Sequence, residues 1–118
     1  MAYSTHRTNT RPPTTLHRVE LVVLLYPAYL PTFDEIAERC RAAVPVFEKD
    51  VPGLIDKTWG MNEEKGRMCS VYHFEDRASA EACFATERFR DYVETTLHNQ
   101  LEMEYFDVAA VASKGPLK

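Results

Sequence analysis

The chain has 118 residues, 45% hydrophobic and 27% charged, with a formal net charge of −4. That length fits one domain with limited buried surface, which a partner subunit would extend, and the scattered lysines and arginines argue against nucleic acid. The longest apolar run, Leu21 to Tyr26, is too short to span a bilayer, and no signal peptide opens the sequence, so a cytoplasmic protein away from membranes is expected.

Residues 1–15 are rich in Thr, Pro, Arg and Asn and read as a disordered tail, with the domain proper running over 16–113 and a polar tail over 114–118. Arg18 to Tyr26 is dense in Val and Leu on both alternating faces, the pattern of a central strand, and Pro27 and Pro31 end it. Thr32-Phe33-Asp34-Glu35 has the form of a capping box, and Phe33, Ile36, Cys40, Val44 and Phe47 follow at helical spacing. The first helix is therefore expected to reach about Lys49, with a kink or early end at Pro45, which lacks an amide hydrogen.

Pro52-Gly53 signals a turn, after which Leu54–Met61 and Arg67–Glu75 read as a hairpin joined by Asn62 to Gly66. Two registers are open. With Gly66 closing a three-residue loop, Trp59, Lys57, Val71 and His73 share one face; slipped by one residue, Trp59 pairs with Ser70 and has Tyr72 beside it. Asp76 can cap a helix carrying Ala80, Cys83 and Phe84, and Thr86 a continuation through Phe89, Tyr92, Val93 and Leu97 that ends near His98-Asn99. Leu101 to Ala112 reads as a last strand.

The order strand, helix, strand, strand, helix, strand is the split βαβ arrangement of an α+β, ferredoxin-like fold. Helices on one face leave the other sheet face apolar and uncovered, so two sheets packing back to back, a homodimer, are expected. Cys40, Cys69 and Cys83 fit neither a disulfide framework nor a zinc motif and read as small buried residues. No histidine or cysteine spacing brings metal ligands together, and no glycine-rich phosphate loop is present, so neither metal nor cofactor is expected.

This layout, together with Pro52-Gly53-Leu54, Lys57-x-Trp59, Gly66, Tyr72-x-Phe74 and Phe106-Asp107-Val108, resembles the YdhR family of monooxygenases, in the dimeric α+β barrel group that includes antibiotic-biosynthesis monooxygenases. The resemblance implies a small pocket between the sheet and the helices, used by related proteins to oxidise polycyclic phenols or anthrones with molecular oxygen and without metal or flavin. The loop Pro27-Ala28-Tyr29-Leu30-Pro31 stands where such proteins carry Gly-Pro-Phe-Gly, at the expected pocket mouth. Fold alone leaves open a non-oxidative cyclase or isomerase and a non-catalytic ligand-binding protein.

Trp59, the only tryptophan, reads either as a core anchor or as a flat wall for an aromatic substrate, and Tyr72 as a companion whose hydroxyl needs a partner. His73 is either structural or, facing the pocket, the base that takes a phenolic proton; His98, near a helix end, is the second proton-moving candidate. The expected catalytic set is thus His73, Tyr72, Trp59 and His98. Lys57 is expected at an edge, paired with Glu75 or Asp107, or beside a substrate enolate; with Tyr26, Phe74 and Tyr105 it makes up the expected substrate contacts.

Overall fold

The computed structural model describes residues 18–115, so the expected tail over 1–15, residues 16 and 17 and the last three residues lie outside them. Strand β1 (Glu20–Pro27) buries every second side chain, Glu20, Val22, Leu24 and Tyr26, against the helices. Thr32 caps helix α1 (Phe33–Asp50) by accepting the Glu35 amide at 3.2 Å, while its hydroxyl donates to the Glu35 carboxylate at 2.8 Å. The helix runs past Pro45 rather than ending there: Pro45 and Arg41 both lie on the solvent face, where water can satisfy the carbonyl that a proline leaves unpaired.

Gly53, at φ 78°, turns the chain from α1 into strand β2 (Leu54–Asn62), and a side chain there would collide with Ser79. Strand β2 pairs antiparallel with β3 (Arg67–Phe74), with a bulge between Leu54 and Asp56. The hairpin takes the slipped register, Asn62 opposite Arg67, Trp59 opposite Ser70 and Lys57 opposite Tyr72. Gly66 is left-handed at φ 62°, but inside a four-residue loop in which Asn62 Oδ1 accepts the Lys65 amide at 3.0 Å.

Asp76 caps helix α2 (Arg77–Phe84) and Thr86 caps helix α3 (Glu87–Thr95), each accepting the amide three residues on. The chain leaves α3 through His98 and Asn99, both left-handed, and enters β4 (Glu102–Asp107). That strand is shorter than expected. Val108 still donates to Val19 at 2.8 Å, beyond the last strand residue, Asp107, opposite Glu20.

The four strands form one antiparallel sheet in the order β2-β3-β1-β4 with the helices on one face, the ferredoxin-like α+β fold. The covered face carries the core: Val22, Leu24 and Tyr26 from β1, Met68, Tyr72 and Phe74 from β3, with Ile36, Cys40, Ala80 and Leu97 packed above them. Phe74, with no exposed surface, contributes about 2–3 kcal/mol by burial alone. The opposite face presents Leu21, Val23, Leu25, Cys69, Val71, His73 and Phe106, with Glu102 and Glu104 on β4 and Asp56 on β2 at its two sides; Leu25 and Phe106 are 38% and 42% exposed. Among the described residues no helix is long and apolar enough to cross a membrane.

Candidate functional site

The slipped register decides what the site contains. Lys57, Trp59 and Met61 point from β2 toward the helices, next to Tyr72, Ser70 and Met68 of β3. Helix α1 lays Phe47 over them, its ring edge-on to Trp59 at 5.4 Å and to Tyr72 at 6.3 Å. From α2, Phe84 meets Tyr72 edge-on at 5.0 Å and Tyr105 at 6.3 Å, while Tyr72 stacks on Phe74 at 5.7 Å. Trp59 joins this cluster and also lines a groove of about 170 Å³ with Phe33, Ile36, Cys40, Arg41 and Met61.

Lys57 meets neither Glu75 nor Asp107. Its ammonium nitrogen lies 3.7 Å from the centre of the Phe47 ring, 4.3 Å from Trp59 and 4.5 Å from Tyr72, a cage of three aromatic rings. Burial brings its pKa down from 10.5 to about 7, against the opposing pull of Cys83 and Cys40. Burial likewise pushes both thiols and the Tyr72 hydroxyl above their ordinary values. Asp107 instead accepts from Arg18 at 3.2 Å.

The other expected residues are dispersed. Tyr26 is buried with its hydroxyl 2.6 Å from Ser70 Oγ, and burial raises its pKa to about 12. Phe74 is sealed in the core. Tyr105 packs under the Arg77 guanidinium, 4.1 Å from its ring centre, and burial raises it to about 12 as well. His73 faces away from this cluster, on the open side of the sheet, with Nδ1 2.8 Å from Asp56 Oδ1. His98 lies elsewhere again, exposed on the rim of a second hollow of about 490 Å³. That hollow is bordered by Pro27, Ala28, Tyr29 and Leu30, the loop expected at the pocket mouth, and by Arg39 of α1.

Several participants escaped the sequence reading. Cys40 and Cys83 look like filler in a one-dimensional pattern, yet they flank the lysine from two helices. Phe47 was visible as one more apolar residue at helical spacing, and only the register of β2 shows that its ring covers Lys57. Tyr29 and Tyr92 meet edge-on at 6.3 Å between the second hollow and the core, and burial raises both hydroxyls. Glu20 is a fully buried carboxylate 3.4 Å from Arg77, in a strand otherwise dense in Val and Leu. Among the described residues no group of three or more His, Cys, Asp or Glu is placed to hold a metal ion.

The fold is shared with solved structures of low sequence identity. A monooxygenase from the gene ActVA-Orf6 of Streptomyces coelicolor, in complex with nanaomycin D, superposes with a TM-score of 0.61 at 13% identity, over 83% of this chain and 94% of that one. A mutant of SnoaB, a cofactor-independent oxygenase from Streptomyces nogalater, gives 0.57 at 15% identity over 81% and 97%. A protein from Caulobacter crescentus described as a "putative antibiotic biosynthesis monooxygenase" gives 0.60 at 14% identity over 90% and 100%. No curated protein matches the sequence. The family model described as "Putative mono-oxygenase ydhR" matches residues 24–115, taking in β1 from Leu24, the hairpin with its aromatic cage and all three helices. With that match over most of its length, and a fold common to the antibiotic-biosynthesis monooxygenases, the chain belongs to the YdhR monooxygenase family.

Proposed function

We propose that the protein is a small cofactor-independent monooxygenase for a flat aromatic, polyketide-derived substrate. The observation that carries this reading is the groove between α1 and β2, whose one large flat wall is Trp59 and whose remaining lining is mostly apolar. Such a surface favours a planar ring system by stacking and excludes water from it. Its chemistry needs little else. A phenol or anthrone that loses a proton becomes an electron-rich anion, and that anion passes an electron to oxygen. Recombination gives a peroxide; loss of water from it leaves a new carbonyl, so one oxygen atom enters the product and the other departs as water.

The likeness to SnoaB, a cofactor-independent oxygenase, supports this reading. Tyr72 and Trp59 shape the site in it, with Tyr26 and Tyr105 deeper in the core. The histidines expected to move the proton do not meet at Trp59: His73 faces the open sheet face and His98 the second hollow.

The same reading includes a cytoplasmic homodimer joined through the open sheet face. Leu21, Val23, Leu25, Val71 and Phe106 form an apolar surface there that a second copy would cover. Sedimentation at micromolar concentration tests it: twice the monomer mass is expected, and a strictly monomeric mass overturns the dimer.

The activity is tested by oxygen uptake of the EDTA-treated protein over a panel of anthrones and hydroxynaphthoquinols, against a heat-denatured control. Uptake well above the control is expected. Quenching of Trp59 by the same compounds without uptake overturns the oxygenase and selects a cyclase, an isomerase or a binding protein using the same groove.

A further inference from the structure

We propose that Lys57 is the catalytic base of this site, its uncharged amine taking a proton from an acidic C–H or O–H of a substrate held against Trp59. This deepens the oxygenase reading and rests on the groove being the substrate site. Of the nitrogen bases expected to move a proton or to contact the substrate, Lys57 is the one that touches Trp59; His73 projects from the far side of the sheet and His98 lies on the rim of the other hollow. Two of the groups around the amine, Trp59 and Cys40, also line the groove, so the amine stands one layer behind its inner wall. A four-carbon stem lets a lysine nitrogen swing past the edge of a neighbouring ring.

The surroundings suit a base rather than a structural ion pair. Among the described residues no carboxylate or hydrogen-bond acceptor holds the amine; three aromatic rings do. Desolvation favours the uncharged amine and outweighs the opposing pull of Cys83 and Cys40, so the group changes charge near neutrality. The titratable groups facing it are Cys40 on α1, with Arg41 beside it, Cys83 on α2 and Tyr72 on β3. Burial keeps the two thiols and the hydroxyl protonated where the amine titrates, so Lys57 alone among them is ready to accept a proton at neutral pH.

The step balances without oxidant. The nitrogen lone pair forms an N–H bond, the substrate C–H or O–H bond breaks, and its electron pair stays on the substrate as an enolate or phenolate. That anion faces the new ammonium ion. Oxygen enters only afterwards.

Because the step precedes oxygen, it can be watched without it. The full chain is incubated anaerobically with anthrone in deuterated buffer, and loss of the methylene proton signal is followed by NMR against heat-denatured protein. Acceleration by the wild type is expected, rising as pH passes about 7 and level above, with at least a 100-fold loss in Lys57→Met. An unchanged rate in Lys57→Met overturns the proposal, as does a wild type that does not accelerate exchange. Exchange by the wild type and not by Lys57→Met, with no oxygen uptake in air, supports the base and removes only the oxygenase. A measurement on the wild type alone guards against a variant that fails to fold. The single tryptophan lies beside the amine, so its fluorescence should show a transition near pH 7; a trace that stays flat across neutrality overturns the proposal.

Discussion

The two faces of the sheet are made from the same strands and obey different rules. On the covered face of β1 and β3, Val22, Leu24, Met68, Tyr72 and Phe74 are closed off by the helices, and polar side chains are few, the bonded Tyr26–Ser70 pair among them. On the open face, Leu25 and Phe106 remain partly wet and His73 meets Asp56 at the surface. A polar group thus means something different on each side. His73 keeps its ring partly in water beside Asp56, whereas Lys57, buried among rings, has its proton affinity set by the protein.

Substitutions that sample both faces sharpen this contrast. Phe74→Ala should cost about 3–5 kcal/mol in chemical denaturation, because its site has no solvent to refill it, while Val71→Ala on the open face of the same strand should cost about 1 kcal/mol. Equal losses at the two positions would show the open face to be as closed to solvent as the covered one. Next in size is Arg77→Ala, at about 3 kcal/mol, since it takes a cation away from the buried Glu20 carboxylate.

Lys57→Met should act in the opposite sense and stabilise. The folded protein releases this proton near pH 7 and the unfolded chain near 10.5, so the cost of burying the lysine is complete below pH 7. It falls as pH rises between those values and is gone above about 10.5. Allowing for residual solvent contact, the variant should gain about 2 kcal/mol at pH 6 and nothing at pH 11, read by thermal or urea unfolding. A gain independent of pH would show that Lys57 keeps its ordinary proton affinity.

Tyr26→Phe should cost about 1 kcal/mol through the lost bond to Ser70. Smallest is Asp56→Asn. Its pair with His73 is exposed and worth under about 0.5 kcal/mol in a monomer, so an effect that grows with protein concentration would place this face inside an interface.

The fold was legible because each level agreed with the next. Thr32, Asp76 and Thr86 cap where their spacing places them, the Val- and Leu-dense β1 lies inside the sheet, and Gly53 and Gly66 adopt the backbone that only glycine takes cheaply. The end of β4 was not legible, because apolar residues continue past Asp107, where the strand stops, through Val108 and Val111. The site hinged on one residue of register. With a three-residue loop Val71 and His73 would have shared the face of Trp59 and Lys57; with the four-residue loop observed, Ser70 and Tyr72 share it and His73 leaves it. Glycine at position 66 suits either loop, so local chemistry could not choose. Nor could it show that Phe47, ten residues before Lys57, folds back over the amine.

The strand order has a consequence for motion. Trp59 and Lys57 lie on β2, an outer strand bonded to the sheet along one side only, whereas β1 and β3 are bonded on both. Strands held along one edge open locally at lower free energy than those in the middle of a ladder. Backbone amides of β1 and β3 should therefore exchange with solvent only when the whole domain unfolds, and those on the free edge of β2 far sooner. The wall of the groove can move aside to admit a ring system wider than the resting groove while the centre of the sheet stays closed.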